Sequence, residues 1–359
     1  MKDNLVHKLL LEEFPRITDN NNLSTFIKNQ VKTILDCRTH KLGGRMYICP
    51  DEHGALFHYN SCKKRGCSVC MEYEQRKWFA RKKPLLFPVK HQHLIFKLPG
   101  QLAYTWLYNK PLIQKIMFDA AHDAIKRVNG IDLLKRGWIS VLHTWGGDLS
   151  YHSHIHVLIT NGGLDEYSHW QEDNLSVKRM RTHYTKIIRK KLLKALTKTE
   201  LCLPPGIGSD ELVKIIKTKY FNIQQFGTYE NGKGVLHYLS NKLKVGALNH
   251  RQVTAYDSKT VTFNYKRGEK TETVKLSREE FIRRYLNHIP PKGFMMVRSC
   301  GIYSARDKAK ILELKEKLFG LIEEEPEDVR PHFTCPICGK ELSIVVKFTA
   351  KEFSKLWYH

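Results

Sequence analysis

Residues 141–163 read VLHTWGGDLSYHSHIHVLITNGG, and the fold is decided at their centre, where His154 and His156 flank Ile155 and run straight into Val157, Leu158, Ile159 and Thr160. Successive side chains of a strand alternate between its faces. Read as a strand, the segment points both imidazoles one way and sends Ile155 and Val157 into packing. A sheet presents a pair of metal ligands in this manner. Upstream, Ile139 to Trp145 predicts a second strand, with Gly146-Gly147-Asp148 as the turn between the two. Paired as a hairpin, the strands set His143 on the same side as His154 and His156. An isolated H-x-H is also compatible with surface or core histidines, so the rest of the chain has to decide.

The chain has 359 residues, enough for two or three domains with a well-buried core. Lys and Arg number 60 against 36 Asp and Glu, a net charge of +24 that is spread along the chain and points to a polyanionic partner. Sixteen Tyr, sixteen Phe and six Trp add stacking surface, which suits single-stranded nucleic acid. No apolar run is long enough for a transmembrane helix, so no membrane partner is expected. The N-terminus lacks a signal-peptide pattern. A cytoplasmic location follows as an expectation, and the nine cysteines then read as thiols or metal ligands rather than disulfides.

Five of those cysteines, Cys37, Cys49, Cys62, Cys67 and Cys70, crowd into 34 positions behind an amphipathic helix predicted over 24–36. Cys67 and Cys70 have zinc-knuckle spacing, and Cys49 with His53 makes an acceptable second half of a Cys3His tetrahedron. Cys37 and Cys62 remain, with His40 and His58 in range, so a second zinc or alternative ligands stay open. Cys335 and Cys338 form another half-site near the C-terminus, to be completed by His332, His359 or a cysteine of the first cluster. Cys202 and Cys300 read as structural thiols.

Between these clusters the pattern is α+β, an antiparallel sheet with covering helices. Strands are expected at His91 to Leu98 and 221–226, and helices at 111–128, 174–198, 210–220 and 234–243. A hairpin is expected from 252–256 and 261–265, and Ser277 with Glu280 forms a capping box opening the helix FIRRYLNHI. The divisions are 1–85 for an N-terminal helix and zinc module, 86–304 for a catalytic domain, and 305–359 for a C-terminal helix and zinc knuckle.

A divalent cation held by the histidines beside a phosphate would stabilise charge in phosphoryl transfer. A nucleophile is still required, and the chain offers no Ser-His-Asp set or carboxylate cluster. A tyrosine on a helix beside the sheet would serve, storing the bond energy as a phosphotyrosine.

Six blocks carry a resemblance: CRTHKLGG from Cys37, YNSCKKRGCSVC from Tyr59, HLIFKLPG from His93, HTWGGDLSYHSHIHVLITNGG from His143, HYLSNKL from His237 and FIRRYLNHIPPKGFMMVRSCG from Phe281. In these blocks and their order the chain resembles the HUH-class rolling-circle transposases of bacterial insertion sequences, of the insertion-sequence ninety-one type and its common-region relatives. The resemblance implies an HUH nuclease palm of the ferredoxin or RRM-like kind. It also implies His154 and His156 as ligands of Mg²⁺ or Mn²⁺, and Tyr238 as a nucleophile joining the 5′ phosphate of a cleaved DNA strand. His143 stands where relatives commonly carry Gln and is the candidate third ligand, with His93 as its competitor. Structural Zn²⁺ and single-stranded DNA, as element ends and target, complete the expected partners.

Three departures from the family pattern stand out. The second tyrosine of many relatives is Lys242 here, one turn after Tyr238, which makes this a single-tyrosine variant with Lys242 as a phosphate contact. A usual cysteine is Glu52, which moves that ligand to His53, and a usual histidine is Gly66. Further DNA contacts are expected from Arg179 on the long basic helix and from Arg283 and Arg284. Tyr265, Tyr285 and Tyr303 are decoys. The rival readings are a rolling-circle replication initiator of a plasmid or phage, against which the cysteine module argues, and a non-catalytic zinc-dependent nucleic-acid-binding protein.

Overall fold

The computed structural model describes residues 4–132, 134–243, 248–267, 269–304, 308–320 and 333–356. The chain forms two compact units, each assembled from separated stretches: 77–243 with 291–326, and 1–76 with 244–290 and 327–359.

The first of these units is built on a five-stranded, wholly antiparallel sheet. Its strands are β1 (His91–Lys97), β2 (Gly137–Trp145), β3 (Tyr151–Thr160), β4 (Ile223–Tyr229) and β5 (Val297–Gly301), in the spatial order β5-β2-β3-β1-β4. The expected hairpin is β2 and β3. Its register sets His143 directly opposite His154, with Val141 opposite His156.

Alternation then sorts the side chains. Leu94, Phe96, Leu142, Ile155, Val157 and Ile159 face one way and are buried among α1 (Lys110–Asp132) and α2 (Val177–Thr197). Helix α2 contributes Met180, Tyr184, Ile188 and Leu192, one residue per turn, and Ser176 caps it by accepting from the Arg179 N–H. Burial of Met180, Ile188 and Leu192 is worth roughly 1.5–3 kcal/mol each. α3 (Ser209–Thr218) adds Leu212 and Ile216 to the same layer.

The other face carries Ile139, Val141 and Leu158, and α4 (Lys233–Leu243) packs Val235, Leu236 and Leu239 against them. Anchoring this short helix over the histidine-bearing face is what brings its Tyr238 to the site. α1 runs past the expected stop at Asn129-Gly130 to Asp132. β5 is a strand that the sequence reading did not anticipate: Val-Arg-Ser-Cys-Gly has no clear alternation, and pairing to β2 supplies its conformation.

The second unit holds the N-terminal helices Leu5–Asp19 and Thr25–Leu35 and two three-stranded sheets. In one sheet Gly44–Ile48 lies between Ala55–Tyr59 and Ser343–Phe348, antiparallel to both. In the other, Thr260–Arg267 lies between Val253–Tyr256 and Lys270–Ser277. The expected hairpin is present, its turn closed by the Asp257 carboxylate accepting from the Lys259 and Thr260 N–H groups. The third strand was not anticipated. Ser277 caps Arg278–Asn287 by accepting from the Glu280 N–H, as its position three residues before Glu280 predicts.

Candidate active site and metal clusters

Four histidines gather on the α4 side of the central sheet. His143 of β2 and His154 and His156 of β3 offer ring nitrogens that lie within 4.8 Å of one another. His143 Nδ1 is 3.1 Å from His154 Nε2, and the His154 and His156 ring centroids are 4.8 Å apart. Three nitrogens around one ion at bonds of about 2.1 Å stand roughly 3.0–3.4 Å apart, so this trio fits a divalent cation with small side-chain adjustments. The fourth histidine, His93 of β1, places Nε2 2.9 Å from Nδ1 of His156 and lies outside the trio. Burial lowers its pKa to about 4, which keeps the ring neutral.

Tyr238 lies over this group. Its ring centroid is 5.4 Å from that of His93 and 5.9 Å from that of His156. Burial raises its phenol pKa, with nearby Tyr229 a smaller contribution. The other tyrosines singled out from sequence differ. Tyr285 and Tyr303 are buried, the first donating to the Gly66 carbonyl and the second hydrogen-bonded at 2.8 Å to His91 Nε2. Tyr265 lies in the hairpin strand Thr260–Arg267.

The cysteines form two groups that differ from the pairing expected from their spacing. Cys37, Cys62, Cys67 and Cys70 make one; Cys49, His53, Cys335 and Cys338 make the other. In the first, Sγ separations are 3.3 Å for Cys37 and Cys70, 3.6 Å for Cys62 and Cys70, and 3.8 Å for Cys37 and Cys67. These are far beyond a disulfide. They match the roughly 3.8 Å edge of a tetrahedron with zinc–sulfur bonds of about 2.3 Å. Hydrogen bonds from Cys37, Cys62 and Cys67 hold the Cys70 thiol well below its usual range.

In the second group Cys49 Sγ is 3.5 Å from Cys338 Sγ and 3.6 Å from His53 Nδ1, which is 3.9 Å from Cys335 Sγ. Backbone N–H groups of Cys338 and Ile337 pull the Cys335 thiol down to about 6. The Cys49–His53 pair thus joins the C-terminal knuckle rather than Cys67 and Cys70. The cause is strand pairing, since Gly44–Ile48 and Ser343–Phe348 lie side by side and deliver the two knuckles to one end of their sheet. Lys340 reaches Asp51 at 2.8 Å across the same junction. His40 and His58 belong to neither group and pack on Phe353 and Phe333.

The remaining expected contacts belong to both units. Arg179 is exposed in the first turn of α2, whose buried face packs on the side of the sheet away from the histidines. Arg283 and Arg284 both hold Glu280, at 2.7 and 2.6 Å. The side chain of Lys242, and His332 and His359, lie outside the described residues. Cys202 is exposed and Cys300 partly buried. No helix among the described residues is long and apolar enough to cross a membrane.

The chain is similar in sequence to known transposases. A family model described as "Transposase zinc-binding domain" matches residues 9–98, and another, "Putative transposase", matches residues 137–310. The transposase for insertion sequence element IS801 of Pseudomonas savastanoi pv. phaseolicola is 28% identical over 288 residues, covering 77% of this chain and 70% of that protein. "Putative transposase y4qJ" of Sinorhizobium fredii is 23% identical over 330 residues, 86% of this chain and 82% of that protein. No solved structure matches the chain. The zinc-binding model falls on the cysteines of the first cluster and the transposase model on β2, β3, Tyr238 and β5, and the chain belongs to the IS91 family of transposases.

Proposed function

We propose that this transposase is a metal-dependent single-strand DNA endonuclease and strand-transferase of the HUH class, acting in rolling-circle transposition through a 5′-phosphotyrosine on Tyr238. The observation that carries the reading is the position of Tyr238, half-buried on its own helix and 5.9 Å, ring to ring, from His156 of the histidine trio.

His143, His154 and His156 would hold the ion, and of Mg²⁺ and Mn²⁺ the imidazole donors favour Mn²⁺. When bound, it supplies charge stabilisation for a phosphoryl oxygen. The chain's own part follows from its side chains. Tyr238 Oη loses its proton and forms a bond to phosphorus, and the bond from phosphorus to the 3′ oxygen breaks. That oxygen takes up a proton and leaves as a free 3′ hydroxyl, and reversal with another 3′ hydroxyl rejoins the strand. Burial around Tyr238 keeps the phenol protonated until the substrate arrives.

The net charge of +24 supports a nucleic-acid substrate held largely through phosphates. Lys242, one turn after Tyr238, is assigned to phosphate, with Arg179, Arg283 and Arg284 as further DNA contacts. Both cysteine groups are assigned structural zinc.

The test uses labelled single strands drawn from the DNA flanking the coding sequence, incubated with the protein and Mn²⁺ and resolved on a denaturing gel. A covalent adduct is expected for the native protein and none for Tyr238→Phe. An adduct that persists in Tyr238→Phe removes the nucleophile assignment. No adduct or cleavage with the native protein, and DNA binding unchanged in His154→Ala and His156→Ala, favours the non-catalytic zinc-dependent binding protein instead.

A further inference from the structure

We propose that Phe226 is a nucleobase-stacking site, seating one base of the single strand beside the phosphate that Tyr238 attacks; the placement of the phosphate rests on the function proposed above, the stacking site itself on the geometry that follows.

Phe226 lies on β4, the edge strand next to β1, and the pairing between them slips at this residue. His93 pairs with Gly227 and Leu94 with Gln225, which leaves Phe226 as the extra residue of a β-bulge. A bulge re-aims the side chain it carries, and bulges concentrate beside active sites. Here the bulge brings the Phe226 ring to 5.2 Å from His93 and to 6.0 Å from Tyr238, inclined by only 24° to the tyrosine ring.

The residue nevertheless remains 53% exposed. A phenylalanine whose purpose was to cover Tyr238 would be expected to spend its surface on the protein, because each apolar area left in water forgoes burial free energy. This one keeps half its surface in water, beside the tyrosine and the histidines.

Its surroundings suit a base as well as a ring. Gln224 and Gln225 precede it and Thr228 follows, all exposed. Gln224 Oε1 accepts from Lys97 Nζ at 2.7 Å, and Lys97 pairs with His154 in the sheet register. Amide and ammonium groups at the rim of an exposed aromatic can meet base edges and phosphates. Stacking itself tolerates any base, since every base offers a π-face. An edge strand also leaves one side open to an extended polymer.

The test compares the native protein with Phe226→Ala, Phe226→Leu and Phe226→Trp. The first readout is quenching of 2-aminopurine fluorescence in a thymidine-rich single strand with the probe at every third position. Quenching should fall in Phe226→Ala and Phe226→Leu and be kept by Phe226→Trp. The second readout is the rate of adduct formation on a strand of mapped cleavage site, with abasic positions introduced one at a time around it. One abasic position should slow the native protein on the order of tenfold or more. The same position should cost Phe226→Ala nothing further.

Equal quenching in the native protein and Phe226→Ala overturns the stacking site, as does a leucine variant that matches the native protein in both readouts. If no adduct forms with any strand, the tyrosine chemistry fails, and the fluorescence still decides whether Phe226 stacks a base.

Discussion

His143 and His154 face each other directly across the β2–β3 hairpin, with Nδ1 of the first 3.1 Å from Nε2 of the second. Two imidazoles at that distance share one hydrogen bond, and a cation between them would replace it with two ligand bonds. Substitution His143→Ala should therefore raise the Mn²⁺ concentration needed for adduct formation by about tenfold or more. His143→Gln, which keeps a ligand atom on the same strand, should recover part of the loss. A titration of adduct yield against Mn²⁺ that is superimposable for the native protein and His143→Ala would exclude His143 as the third ligand.

Two separate zinc sites predict separable metal contents. The purified protein should carry two zinc ions per chain by elemental analysis. Cys335→Ser and Cys338→Ser should each bring the content to one, and Cys67→Ser should do the same through the other cluster. The double variant Cys67→Ser with Cys338→Ser should carry none. A chain in which Cys338→Ser leaves both ions in place would show that Cys49 and His53 find their partners elsewhere.

Gly301 tests the packing of β5. Its φ is +61°, and a Cβ added there would lie 1.8 Å from the Arg136 carbonyl oxygen, which already accepts from the Ile302 N–H. Gly301→Ala combines a left-handed backbone with a clash against main chain that has no room to yield. Urea denaturation should report a loss of about 3 kcal/mol or more. A loss under about 1 kcal/mol would mean that the strand can shift away from Arg136.

His122 on α1 provides a pH dependence. It is buried against the sheet, with Nε2 3.1 Å from Ser140 Oγ, and burial, reinforced by the Arg298 charge, lowers its pKa to about 4. The unfolded chain takes up a proton there near 6.5, so the folded state is the one with the lower affinity. Its contribution is complete above pH 6.5 and is lost as the pH falls towards 4, at up to about 1.4 kcal/mol per pH unit. His122→Gln keeps a polar partner for Ser140 and cannot titrate. The gap in stability between the native protein and His122→Gln should therefore shift in favour of the variant between pH 7 and pH 5.

How far the sequence spoke for this structure differs from site to site. The period of two around His154, Ile155 and His156 was legible because both faces of β3 have fixed partners, Ile155 in the core and the histidines beneath α4. Tyr238 was legible only through the family resemblance; in the structure Leu236 and Leu239 commit one side of α4 to the sheet and carry Tyr238 over the histidines. β5 was not legible, because its mixed side chains take their conformation from β2. The ligand groupings were legible only as open alternatives: spacing identifies a half-site, whereas Cys49 meets Cys338 through strands paired far apart in sequence, the two cysteines being 289 positions apart. Phe226 was hidden for a related reason, since a bulge is a property of two strands and β4 alone reads as uninterrupted.

That long-range pairing has a consequence in time. A ribosome delivers Cys37 to Cys70 within one short interval, so the first cysteine group can take its metal on a nascent chain. Gly44–Ile48 emerges with them and finds Ala55–Tyr59 at once, yet its other edge and the Cys49–His53 pair stay uncommitted until Cys335, Cys338 and Ser343–Phe348 have been made. The second group therefore closes late, and metal bound there registers that the chain lying between the two halves of the site has already been synthesised.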